Sequence, residues 1–249
     1  MVPRLLLLQA RYADDPARRE ERQSFADRLG LPLEAIVPHD LLTGPPRLEH
    51  ILEYDALLIG GAGNFDVTKR NLPAFEETLE RLREVVEVGH PTFASCFGFQ
   101  LMVEALGGKI IRDEANMEVG TFQVYLTEEG KSDELFRILP PVFWAQLGHK
   151  ERAERLPDGV VNLAYSERAP YQAFRVPGKL IWATQFHPEL TVEENRIRFR
   201  RYLDVYQAHL SPEEIEALLE SFRPSPETER LLPHFLSLVL GEGVGIPPR

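Results

Sequence analysis

The chain has 249 residues, with 28 Lys and Arg against 39 Asp and Glu, a formal net charge of −11. Its composition, 43% hydrophobic and 27% charged, is that of a folded α/β domain with a sizeable core, and the acidic balance excludes a phosphate-backbone binder, which needs clustered Lys and Arg. Leu5–Leu8 reads as a first buried strand, and its shortness excludes both a signal-peptide core and a membrane span. A polar helix follows from Ala17 to Leu29, then a short strand at Ala35–Val37. A third strand, Ala56–Ile59, runs into Gly60-Gly61-Ala62-Gly63-Asn64. From Pro73 to Val88 apolar residues at Phe75, Leu79, Leu82, Val85 and Val86 keep a helical period. Pro91–Ser95 is a fourth strand, and Gln100–Leu106 a helix that Gly107-Gly108 ends.

The texture then changes. Phe122–Leu126, Val142–Ala145, Val160–Ala164, Gln172–Val176 and Leu180–Thr184 read as strands, with a hairpin turn at Pro177-Gly178. After Pro188 the pattern is helical: Val192 to about His209, Pro212 to Phe222 and Thr228 to Leu240. Residues 1–205 are expected to form one α/β domain and 206–249 a helical extension packed on it. Alternating strands and helices are the pattern of βα units around a parallel sheet.

Cys96 is the only cysteine. It excludes an internal disulfide framework or a multi-Cys zinc site, and suits a reducing, cytoplasmic setting. The seven histidines form no helical H-x-x-x-H pair, so no metal and no cofactor is expected. Cys96 lies where a strand passes into a helix, a turn that exposes its central side chain beside a helix N-terminus, where free N–H groups favour thiolate. Gly98 allows close backbone approach, and the Phe97 N–H points where an oxyanion would form. In the second constellation, Phe186-His187-Pro188-Glu189, extended backbone puts His187 and Glu189 on one side. A carboxylate there fixes the imidazole's tautomer, and an imidazole beside a cysteine can take its proton and return one to a leaving amine. Alone, each feature has a plainer reading: a buried thiol, a hydrogen-bonded strand-end histidine, a turn of glycines.

Together the segments resemble the class I (triad) glutamine amidotransferase family, over roughly residues 5 to 200. Cys96-Phe97-Gly98-Phe99-Gln100 matches its nucleophile motif, Phe186-His187-Pro188-Glu189 its histidine motif, and Gly60-Gly61-Ala62-Gly63 its oxyanion loop. The resemblance implies a flavodoxin-like α/β fold of three αβα layers, a mostly parallel sheet with an added antiparallel portion and a C-terminal helical extension, and glutamine as substrate. It implies Cys96 as nucleophile, His187 as base and then acid, Glu189 as orienter, Gly61 and Phe97 as oxyanion donors. Gln100, with backbone around His149 and Lys150, would hold glutamine. Ala94 and Ala62 depart from the usual glycine and proline, as does Lys150-Glu151 from the usual small residue and Asp.

Within that family the likeness is to the GMP-synthase-like, free-standing group. It implies ammonia released for an acceptor not encoded in the chain, a separate synthase subunit. A γ-glutamyl hydrolase or peptidase on the same triad, and a catalytically silent regulatory paralogue, are the competing readings. The apolar residues of the last helices (Leu218, Leu219, Phe222, Leu231, Leu232, Phe235, Leu236, Leu238 and Val239) either cover the parent domain or form a docking face for an acceptor subunit or a second copy. No nucleic-acid or membrane partner is expected.

Overall fold

The computed structural model describes residues 2–203 and 211–241. In chain order the elements are β1 (Leu5–Ala10), α1 (Ala17–Leu29), β2 (Ile36–Asp40), α2 (Leu48–Ile51), β3 (Ala56–Ala62), α3 (Phe75–Val88), β4 (Thr92–Ser95), α4 (Phe97–Ala105) and β5 (Lys109–Arg112). There follow β6 (Glu118–Leu126), α5 (Glu128–Ser132), β7 (Val142–His149), β8 (Glu151–Arg155), β9 (Val161–Tyr165), β10 (Ala173–Arg175), β11 (Ile181–Thr184), α6 (Val192–Arg201), α7 (Pro212–Ser221) and α8 (Leu231–Val239).

The main sheet has the order β2-β1-β3-β4-β11-β10-β9-β6-β7. Its first five strands pair in parallel, in the 2-1-3-4-5 order of flavodoxin-like folds, and β10, β9, β6 and β7 continue it antiparallel. β10 and β11 meet across the expected hairpin, where Gly178 takes φ 71°. The parallel strands are buried on both faces, so Leu5–Leu8 is apolar throughout rather than alternating. Leu6 and Leu8 face one core with Leu79, Leu82 and Val85 of α3 and Phe99 and Val103 of α4. Leu5 and Leu7 face the other with Phe25 and Leu29 of α1 and Leu232 and Phe235 of α8.

Several sequence expectations shift here. β5 and β8, which pair as a separate two-stranded ribbon, were not predicted, because charged residues interrupt their apolar pattern. The strands expected to open at Phe122 and to close at Ala145 instead open at Glu118 and close at His149. Helix α4 starts directly after the cysteine rather than at Gln100. The expected run of α6 to His209 and the boundary between 205 and 206 lie outside the described residues.

The final helices have a structural task. Leu231, Leu232, Phe235 and Leu236 are buried against the sheet, with the Phe235 ring 5.5 Å from Phe93 and 6.1 Å from Trp182. Leu218, Leu219 and Phe222 pack with Val119 and Phe199 in a third cluster. Of the residues from which a docking face was expected, Leu231, Leu232, Phe235, Leu236 and Phe222 are buried, while Leu218, Leu219, Leu238 and Val239 are partly buried against the same clusters.

Candidate active site

The site lies at the carboxyl ends of the central strands, where open α/β sheets place their crevices. β4 ends at Ser95, and Cys96 turns the chain into α4 with φ 52° and ψ −102°. This left-handed backbone is rare for a side-chain-bearing residue and is maintained only by its surroundings. The Cys96 N–H donates to Thr184 O at 2.8 Å and its carbonyl accepts from Gln100 N–H, so the elbow is tied to β11 and to the first helical turn. Gly98 has to be glycine, because a Cβ there would sit 2.6 Å from Ile59 O. Phe97 is the first residue of α4, and its N–H lacks an intrahelical acceptor by position.

Beyond β11 the chain bends at Gln185 and Phe186, and the His187 N–H donates to Gln146 O at 2.9 Å; His187 and Glu189 then meet across a turn, in which Leu190 N–H donates to His187 O at 3.3 Å, and not along the extended backbone expected from the sequence. This carries the imidazole towards Cys96. His187 Nδ1 lies 2.7 Å from Glu189 Oε1, which accepts its proton and leaves Nε2 for the thiol. Burial alone would push the imidazole's pKa down. The charge of Glu189, the proximity of Cys96 and hydrogen bonds to both outweigh it, and the group is pushed up to about 10. Burial likewise opposes ionisation of Glu189, but His187 and then Arg198 hold its carboxyl below the usual range. Cys96, His187 and Glu189 are all buried.

A cavity of about 100 Å³ opens on Cys96 and His187, and its walls include Phe97, Gln100, His149 and Lys150. Glu189 stands behind His187, outside the cavity wall. Gln100 Nε2 donates to Glu151 O at 3.0 Å, linking α4 to β8. His149 has both ring nitrogens engaged: its Nε2 lies 3.1 Å from Glu118 Oε2 and its Nδ1 3.0 Å from Glu151 O. The Lys150 carbonyl accepts from Asp113 N–H at 2.8 Å, so that atom is spent on fastening β5. Burial, with Arg112 nearby, pushes the Lys150 ammonium down.

β3, expected to end at Ile59, runs on through Gly60 and Gly61 to Ala62 and presses on the site. A Cβ on Gly61 would fall 2.9 Å from His187 Cε1, which explains the glycine. Its N–H, expected to face an oxyanion, instead donates to Glu21 Oε1 at 3.0 Å. Glu21 is fully buried and also accepts from Arg11 at 2.8 Å and Gln9 at 2.9 Å. Arg11 and Glu21 were not singled out from the sequence, nor were Asn195, Arg198, Phe199 and Tyr202 of the cavity region. A signal for the last four does exist: they recur at i, i+3, i+4 and i+7, one face of α6, and three of them are polar. Glu151 also went unassigned. Its carboxylate accepts from Val67 N–H (2.8 Å), Thr68 N–H (3.2 Å) and the Thr68 hydroxyl, fastening the loop that brings Phe65 and Asp66 to the cavity. Among the described residues no group of three or more His, Cys, Asp or Glu could hold a metal ion, and no helix is long and apolar enough to cross a membrane.

Fold and site together define a flavodoxin-like α/β protein with a Cys–His–Glu constellation at a strand-to-helix elbow. The model of the family described as glutamine amidotransferase class-I matches residues 37–204. The chain belongs to the class I glutamine amidotransferase family, and the curated relatives it is similar to are GMP synthases. It is 35% identical over 107 residues to a GMP synthase [glutamine-hydrolyzing] of Thermosipho africanus, an alignment covering 43% of this chain and 20% of that one. A second such synthase, from Shewanella woodyi, is 31% identical over 153 residues, 57% of this chain and 27% of that one. The alignments thus take in between a fifth and about a quarter of those relatives. A glutamine amidotransferase of Thermotoga maritima has the same fold at a TM-score of 0.73 and 19% identity, covering 96% of this chain and 99% of that one. The glutaminase domain of a Trypanosoma brucei CTPS, solved with acivicin bound, aligns at a TM-score of 0.64 and 15% identity over 99% and 97%.

Proposed function

We propose that this chain hydrolyses the side-chain amide of glutamine through a thioester on Cys96 and delivers the ammonia to an acceptor held on a separate synthase unit. The observation that carries the reading is the His187–Glu189 hydrogen bond behind a cysteine held at a left-handed elbow, inside a chain of this family. Cys96 Sγ gives its proton to His187 Nε2 and attacks the carboxamide carbon. Negative charge develops on the amide oxygen, where the Phe97 N–H donates to it. Gly61 serves as the second donor only after its N–H leaves Glu21. His187 then protonates the departing nitrogen, ammonia leaves, and His187 draws a proton from the water that cleaves the γ-glutamyl thioester. Gln100 borders the space for the glutamine. The single free thiol fits a reducing, cytoplasmic setting.

The test is ammonia release from glutamine by the isolated protein and by Cys96→Ala. Wild type should release ammonia and the variant none, and a glutamine-like diazo-ketone should label Cys96. Cleavage of γ-glutamyl peptides without ammonia release from glutamine would move the assignment to a γ-glutamyl hydrolase. Undiminished release by Cys96→Ala would remove it altogether.

A further inference from the structure

Helix α6 brings a charge to the site that the reaction described above leaves unused. Arg198 is only 7% exposed, and its Nη1 lies 3.9 Å from Glu189 Oε1. Among the described residues neither Nη1 nor Nη2 has a hydrogen-bond partner, and the buried Glu189 Oε2 has none either. A buried guanidinium and a buried carboxylate, each with unmet hydrogen-bonding atoms, thus face each other just beyond hydrogen-bond range. Arg11, which also lines the cavity, is already committed to Glu21 and to the Tyr202 hydroxyl.

The placement of Arg198 is not accidental. Thr191 and Glu194 close a capping box that starts α6 two residues after Glu189. Asn195 then pins the first turn through Gln146 Oε1 at 3.0 Å and Gly120 O at 3.2 Å. Arg198 follows one turn later on the same face. Charge explains what it does there. Cys96, His187 and the Glu189 carboxylate sum to −1 in a buried site whether the proton sits on the thiol or on the imidazole, and one guanidinium brings that sum to zero. Uncompensated buried charge is strongly unfavourable, and without a cation the site would favour a protonated Glu189 and a less basic His187.

We propose that Arg198 is a positioning residue for Glu189: its guanidinium closes onto the carboxylate, balances its buried charge, and keeps it ionised and turned to His187 Nδ1 while Cys96 and His187 exchange their proton. The proposal rests on the Cys96–His187–Glu189 reading and deepens it. Arg198 also borders the cavity, and the role proposed for it runs through Glu189.

The experiment is a double-mutant cycle on Arg198→Met and Glu189→Gln, with Arg198→Lys as the conservative variant. One readout needs no substrate: the rate at which iodoacetamide alkylates Cys96, followed by intact mass because the chain has one cysteine. The other is kcat and KM for glutamine hydrolysis. Arg198→Met should slow alkylation and lower kcat by about 10- to 100-fold, as loss of a supporting hydrogen-bond partner does elsewhere, with KM nearly unchanged. Arg198→Lys should recover most of both. In the Glu189→Gln background Arg198→Met should add less than about twofold. Equal effects in both backgrounds, a raised KM with intact kcat, or no recovery by Lys would overturn the proposal and make Arg198 a structural or substrate-binding group. If wild type releases no ammonia from glutamine, the functional reading fails while the alkylation cycle still decides Arg198.

Discussion

The carboxylate of Glu21 accepts the Gly61 backbone N–H at 3.0 Å while that same glycine abuts the His187 ring. A residue of the first helix therefore ties together the ends of β1 and β3 and fixes the end of β3 beside His187. Its bond to Arg11 makes it one half of a buried ion pair, and removing one half leaves an uncompensated charge. Glu21→Ala should lower stability by about 3–5 kcal/mol. Glu21→Gln, which still accepts hydrogen bonds from Arg11 or Gly61, should lose less. Denaturant unfolding of the three proteins measures both differences, and equal stability of wild type and Glu21→Ala would show that the pair is dispensable.

Substitutions at His187 and Glu189 should separate in size. His187→Ala removes the group that moves every proton, and turnover should fall on the order of 10³-fold or more. Glu189→Gln keeps the neighbour but loses its charge, and should fall less. Steady-state ammonia release compares them, and equal tolerance of both would leave the motif structural.

The raised pKa of His187 also predicts how stability varies with pH. The group is pushed up to about 10 in the folded chain from an ordinary 6.5. A raised folded pKa contributes stability that is complete below the unfolded value and disappears as pH rises through the folded one. The margin of wild type over His187→Ala should thus be widest below about pH 6.5 and shrink towards pH 10. Thermal melts of both proteins across that window read it directly. A margin that widens with pH would reverse the assignment of the charge.

Gly98→Ala puts a methyl 2.6 Å from Ile59 O, a backbone atom that cannot swing aside. The helix has to shift away from β3, at a cost of about 1–3 kcal/mol. Since α4 begins at the residue after the nucleophile, the shift should also slow turnover. A calorimetric scan with a rate measurement checks both, and a variant matching wild type in each would contradict the packing described.

Removal of the last helix should act on the core before it acts on association. Phe235→Ala deletes a fully buried ring between Phe93 and Trp182 and should lower stability by about 3–5 kcal/mol. Truncation near Leu210 strips α8 as well, and should yield an aggregating or unfolded product rather than a folded domain of altered mass. A soluble, cooperatively unfolding truncated protein would show instead that the helix is a true appendage.

What the sequence made legible follows the reach of local pattern. Strands buried on both faces announce themselves as apolar runs, as Leu5–Leu8 and Ala56–Ile59 do, and α1 ends at Leu29, where left-handed Gly30 caps it. The ribbon of β5 and β8 escaped because Lys109, Arg112, Glu151 and Arg155 interrupt any run, and ion pairs such as Lys109–Glu154 contribute to it. β6 and β7 were read short at the ends where Glu118 meets His149, buried polar partners that a hydropathy pattern scores as surface. The candidate site divides the same way. Cys96–Gln100 and Phe186–Glu189 are contiguous and visible, whereas Glu21, Arg11, Arg198 and Tyr202 converge only through the sheet order. The Gly61 N–H illustrates the limit, since its position was legible and its partner was not.

Cys96 is the chain's only sulfur nucleophile of its kind, and it is lodged beside a base. A peroxide that converts it to the sulfenic acid finds no resolving thiol among the 249 residues. The lesion cannot close into an intrachain disulfide, so it waits for an external thiol or advances to the irreversible sulfinic acid. The reductant of its surroundings, rather than any device in the fold, sets how long this protein stays competent under oxidative stress.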